Sequence, residues 1–175
     1  MPKAIKPLFF LFCAFFSATV ITAQKQYDIL DKEAGSDKTL KGIIGKEILA
    51  GDPEFAWFRD NAKEYTPNKD ALAALSKNKD LQLLVFMGTW CHDSQYIIPK
   101  FYALLDSAGF PPDHVTLIGT DREKKTYSHL AEAMNVTNVP TIIVMKDGKE
   151  MGRVVEYGKY GLFDMELAEI INGSK

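Results

Sequence analysis

Residues 88–101, GTWCHDSQYIIPKF, set a cysteine directly after a tryptophan, at the point where an apolar run gives way to helical spacing. A thiol becomes a strong nucleophile only as the thiolate. The first turn of a helix favours that form, because free N–H groups and the positive end of the helix dipole lie there. His92, when protonated, pushes the same way, whereas Asp93 opposes it unless its carboxylate turns away to cap the helix. A thiolate at Cys91 has two chemistries open to it: attack on a disulfide to give a mixed disulfide, or oxidation to a sulfenic acid. A small buried and inert thiol is the remaining alternative.

Which of these applies depends on the elements that hold the cysteine. Residues 81–87, LQLLVFM, are almost continuously apolar, as a strand buried on both faces is. Residues 91–108 carry Ile97, Ile98, Phe101, Leu104 and Leu105 at helical spacing and stop at Gly109 and Pro111-Pro112. Cys91 therefore falls at a strand-to-helix junction. Val115, Leu117 and Ile118 predict a second buried strand, and residues 128–134 a further helix. Residues 139–145 and 151–157 read as two strands joined at Asp147-Gly148, a pair suited to a tight hairpin turn. An amphipathic helix with Leu162, Phe163, Leu167, Ile170 and Ile171 closes the chain. Upstream, Asp52-Pro53 predicts a helix start running to about residue 65, and Asn68 caps a short helix with Ala71, Leu72 and Leu75. Strands alternating with helices and ending in a hairpin predict an α/β domain with a mixed sheet.

Residues 1–23, MPKAIKPLFFLFCAFFSATVITA, have a basic start, a short apolar block and a small-residue finish, the layout of a cleaved secretory signal. The reading is an exported protein, periplasmic or secreted, with no stable membrane span after signal removal. Removing 23 of the 175 residues leaves 152, enough for one domain burying roughly 70% of its unfolded surface. It also removes Cys13, so that Cys91 is the one remaining thiol and no internal disulfide is possible. The mature chain has 19 basic and 23 acidic residues and a formal charge near −4, with no basic face of the kind nucleic acid requires. The predicted division is a flexible leader over 24–41, an N-terminal extension packed on the domain over 42–79, and the domain itself over 80–175.

Residues 81–171 resemble the thioredoxin family, on four features in the family's order. Trp90-Cys91 follows a buried strand, as the WCxxC motif does; Pro99 lies eight residues after the cysteine, inside the helix; Val139-Pro140-Thr141 is similar to the cis-proline loop; and the KDGKEMGRVV hairpin precedes the final helix. The resemblance implies a thioredoxin-like fold, a central mixed sheet flanked by helices, here with an N-terminal helical extension. It implies a cis peptide bond before Pro140, and a surface at Trp90, Val139, Pro140 and Thr141 that receives an incoming peptide. It calls for no cofactor and no metal.

Three departures narrow the chemistry. Ser94 stands where the family has its second cysteine, Val85 where it has a buried aspartate, and Leu117 near where members often carry a lysine. The pattern is monothiol. Cys91 is the expected nucleophile, with Ser94 and His92 tuning the sulfur; the Ser94 hydroxyl either donates to Cys91 or simply completes the first helical turn. The expected partners are protein or small-molecule thiols and disulfides. Two alternatives stay open: a one-cysteine peroxide scavenger, with Thr89 as the nearby polar group, and a non-catalytic binding module using the Trp90 and Pro140 surface or the aromatic residues Phe55, Trp57 and Phe58. Those aromatics read first as core. Asp121 would lie on the Cys91 edge of the sheet as a cap or solvated charge, and His114 and His129 share no ligand spacing with His92.

Overall fold

The computed structural model describes residues 26–30 and 38–173. The signal reading over 1–23, Cys13 and the Gly35-Ser36-Asp37 stretch lie outside the described residues. Six strands form one sheet: β1 (Tyr27–Leu30), β2 (Thr39–Ile44), β3 (Gln82–Met87), β4 (Val115–Gly119), β5 (Thr141–Lys146) and β6 (Lys149–Val155), in the spatial order β1-β2-β4-β3-β5-β6. The pair β3/β4 is parallel and every other neighbouring pair antiparallel. The sheet is mixed and flanked by helices α1 (Lys46–Gly51), α2 (Ala56–Asp60), α3 (Lys69–Lys77), α4 (His92–Ala108), α5 (Leu130–Ala133) and α6 (Phe163–Asn172).

A parallel pair cannot be closed by a tight turn, so the chain must cross over between β3 and β4. The apolar stripe predicted over 91–108 makes that crossover as α4, which ends where Gly109 takes a left-handed conformation. Successive β3 side chains serve opposite layers, as the two-residue period of a strand requires. Leu83, Val85 and Met87 join Ile97, Phe101 and Leu104 of α4, Leu75 of α3 and Leu167 of α6 in the larger core. Phe86 faces the other way, into a smaller core with Ile118, Ala131, Val136, Val139 and Ile143. Phe55 and Phe58 are buried in the larger core, Phe58 edge-on to Tyr102 of α4, so the aromatic run is packing.

The segment read as a flexible leader is corrected in part, since β1 and the start of β2 lie within 24–41. β1 is an edge strand, with Tyr27, Asp28 and Leu30 half-buried and Ile29 exposed, and composition alone does not separate such a strand from an unstructured lead-in. Leu40 is fully buried, and Gly42 sits where β1 presses closest: a Cβ there would lie 2.4 Å from the Gln26 carbonyl oxygen. The helix expected from Asp52 is also shorter than predicted. Asp52 does cap, accepting from Glu54 N–H, but it opens a single tight turn at Pro53–Phe55, and α2 ends at Asp60. Of the helix expected over 128–134 only α5 forms, because Ser128 and His129 both adopt positive φ. Among the described residues no helix is long and apolar enough to cross a membrane.

Candidate functional site

The apolar pattern of β3 stops at Met87, and the next four residues turn the chain into α4. Gly88 leaves room for the Trp90 ring, which an added Cβ would meet at 2.6 Å. Cys91 takes the N-cap position with extended φ and ψ, its N–H bonded to Gly88 C=O at 3.0 Å and its C=O accepting from Gln95 N–H at 2.9 Å. The thiol thus sits at the start of a 17-residue helix, partly exposed, at the rim of the smaller core. Its Sγ donates to the Val139 carbonyl at 3.2 Å. The Val139–Pro140 bond is cis, as the resemblance implied. Thr141 Oγ1 donates to Asn138 C=O at 2.7 Å, and the Val139, Pro140 and Thr141 side chains are all buried, so this loop faces the sulfur with backbone.

Trp90 is tied to the segment that follows β4. Its Nε1 donates to Thr120 C=O at 3.1 Å, and the Arg122 guanidinium lies 5.7 Å from its ring centre. His92 is exposed on the first turn of α4. Ser94 is fully buried, and among the described residues the hydrogen-bond partner of its Oγ is Gly88 N–H at 3.2 Å. By accepting from Gly88 N–H, the Ser94 hydroxyl ties the helix's first turn to the end of β3. Asp93 does not cap the helix either; its carboxylate accepts from Tyr157 O–H at 3.0 Å. Val85 and Leu117 are direct partners in the β3/β4 register and both buried, so an apolar pair occupies the sites where the resemblance sets an acid and a base.

Thr89 shows a contact that sequence reasoning missed. Fully buried, it donates to Lys38 C=O at 2.7 Å and accepts from Leu40 N–H at 3.1 Å, stitching the active loop to the start of β2. It is committed to β2, away from the role that the peroxide alternative needs. Thr89→Val keeps the shape and orphans both backbone groups, so we expect a loss of about 1–3 kcal/mol in urea unfolding. A change within 0.5 kcal/mol would show that the stitch contributes nothing.

Asp121 does lie on this edge of the sheet, paired to Lys41 at 2.7 Å and accepting from Lys125 N–H at 2.8 Å. Burial pushes its carboxyl up, but the Lys41 ammonium and the backbone N–H groups outweigh that and hold it below the ordinary range. His114 Nδ1 bonds Lys79 C=O and His129 pairs with Glu132; among the described residues no three His, Cys, Asp or Glu side chains cluster as a metal site.

The thioredoxin family profile matches residues 63–165. The chain is 32% identical over 96 residues to a thioredoxin of Echinococcus granulosus, an alignment covering 55% of this chain and 84% of that protein. It is 35% identical over 95 residues to a thioredoxin of Chlamydia pneumoniae, covering 53% and 80% respectively. With Thioredoxin Y, chloroplastic, of Oryza sativa subsp. japonica it shares 30% over 79 residues, 45% of this chain and 44% of that one.

Proposed function

Because the chain belongs to the thioredoxin family, we propose that it performs thiol–disulfide exchange as a single-cysteine member, with Cys91 as the nucleophile. Thiol–disulfide redox chemistry in general follows from that membership. The observation that supports it best is a partly exposed thiol at the N-cap of α4, held against the cis-proline loop by its 3.2 Å bond to the Val139 carbonyl.

The Cys91 thiolate attacks one sulfur of a partner disulfide, the partner's S–S bond breaks, and the departing thiolate takes up a proton from water. The new bond is a mixed disulfide at Cys91, and one disulfide has replaced another with no net oxidation. With residues 1–23 removed the chain has no second thiol, so a thiol of another molecule must attack the adduct to regenerate Cys91. Trp90 and the backbone of Val139-Pro140 would border the bound partner. Export to a periplasmic or extracellular space, inferred from the signal-like layout, would put Cys91 among disulfide-bearing proteins.

The test is adduct formation. Incubated with oxidised glutathione or with a disulfide-bearing peptide, the protein is expected to gain one adduct on Cys91 by intact mass, and Cys91→Ala none. An absence of adduct in the wild type, together with alkylation by iodoacetamide no faster than that of a free thiol, would overturn the proposal.

A further inference from the structure

The site has a second wall that the sequence motif does not include. At the end of β6 the chain is hooked to the proline loop, Glu156 N–H donating to Pro140 C=O at 2.7 Å. Glu156 then adopts φ +52 and Gly158 φ +73, closing a turn with Gly158 N–H on Val155 C=O at 2.9 Å. This turn delivers Tyr157 to the first turn of α4. Its ring lies 5.8 Å from that of Tyr96, and its hydroxyl donates to Asp93 Oδ1 at 3.0 Å. Lys100 lies over the Tyr96 ring.

Asp93 is the acidic residue of the helical turn that Cys91 opens, and a negative charge close to a developing thiolate opposes it. Resting on the reading of Cys91 as nucleophile, we propose that Tyr157 is a positioning residue, whose hydroxyl holds the Asp93 carboxylate on itself and off the Cys91 sulfur. Two further observations fit. Burial, followed by the hydrogen bond and charge of Asp93, pushes the Tyr157 hydroxyl up, so that it stays a donor through the neutral range. The hook from Glu156 to Pro140 makes the loop that touches the sulfur and the loop that carries Tyr157 one unit, so the hydroxyl is placed by the same backbone that receives the partner.

The test is a double-mutant cycle on the full chain, read by two probes at low salt: neutral iodoacetamide and the dianionic aromatic disulfide dithiobis(nitrobenzoate). In Tyr157→Phe the ring stays on Tyr96 and the carboxylate is released. The rate with the dianionic disulfide is expected to fall about fivefold and that with iodoacetamide by less. The difference should shrink as salt is raised toward ~1 M. In the Asp93→Asn background Tyr157→Phe should change neither rate. The inference is overturned if Tyr157→Phe leaves both rates unchanged, or if its loss is equal for the two probes and persists in Asp93→Asn, which is what a purely structural role gives. A wild type inert to both probes overturns the proposed function, and this inference with it; a reactive wild type with an inert cycle overturns this inference alone.

Discussion

The Ser94→Cys variant is expected to reduce insulin catalytically with dithiothreitol as electron source, at least about tenfold faster than the wild type, whose activity should not exceed that of dithiothreitol by more than a small factor. The argument is one of connectivity. In the wild type an insulin chain captured at Cys91 waits for an external thiol. In the variant the introduced thiol stands three residues further along the same helical turn, so release becomes intramolecular and gains the high effective concentration that fixed geometry provides. It attacks Cys91 Sγ, the mixed disulfide breaks, the insulin thiolate leaves, and the internal disulfide formed is reduced by dithiothreitol.

Position 94 is fully buried, so the new sulfur would be shielded from direct alkylation while remaining next to its target. Two features limit the gain. Gly88 N–H loses the Ser94 hydroxyl as acceptor and meets a weaker sulfur, a cost of about 1 kcal/mol. The adjacent strands carry Val85 and Leu117, neither of which can take the second thiol's proton, and the variant should turn over more slowly than an ordinary dithiol thioredoxin. Insulin turbidity checks the rate, and Cys91→Ala in the Ser94→Cys background must remove it. A variant no faster than wild type would show that residue 94 does not face Cys91 productively.

What the sequence made legible is what short spacing controls. Asn68 caps α3 through its own side chain and the N–H groups of Asp70 and Ala71, a relation complete within three residues. Asp147 and Gly148 take φ +50 and +74, the two positive values that a tight hairpin turn demands. The strand-to-helix junction at Cys91 was readable because an apolar run and a helical stripe abut there. The relations that shape the thiol's surroundings were not readable, because their partners lie far apart in the chain. Thr89 meets Leu40 across 49 positions and Asp93 meets Tyr157 across 64, and a threonine or tyrosine carries no local mark of the group it will bond. Ser94 marks the limit within one helical turn: spacing placed it near Cys91, but the bond its oxygen accepts from the Gly88 amide depended on the path of the preceding loop.

Asp164→Ala is expected to cost about 3 kcal/mol of stability. Asp164 lies in the first turn of α6 with only 6% of its surface exposed, and its Oδ2 accepts from Tyr65 O–H at 2.6 Å and from Asn68 N–H at 3.0 Å. Since Asn68 is the residue that caps α3, one carboxylate holds the starts of both helices together, and the Tyr65 ring stacks on Phe163 beside it at 6.0 Å. Burial, with Asp164 behind it, pushes the Tyr65 hydroxyl well up, so it remains a donor at any working pH. Alanine at 164 strands two donors in a poorly solvated place, and each lost bond to a charged acceptor contributes roughly 1.5 kcal/mol or more. For a domain of this size that corresponds to a fall in Tm of about 6–12 °C. Asp164→Asn keeps an acceptor oxygen and should lose less than half as much. Because Asp164 is on α6 and Cys91 heads α4, alkylation of Cys91 at 25 °C should be unchanged in both variants. Scanning calorimetry and urea unfolding decide it: an Asp164→Ala protein within 0.5 kcal/mol of wild type would mean that water replaces both bonds and that α3 and α6 are held by their apolar faces alone.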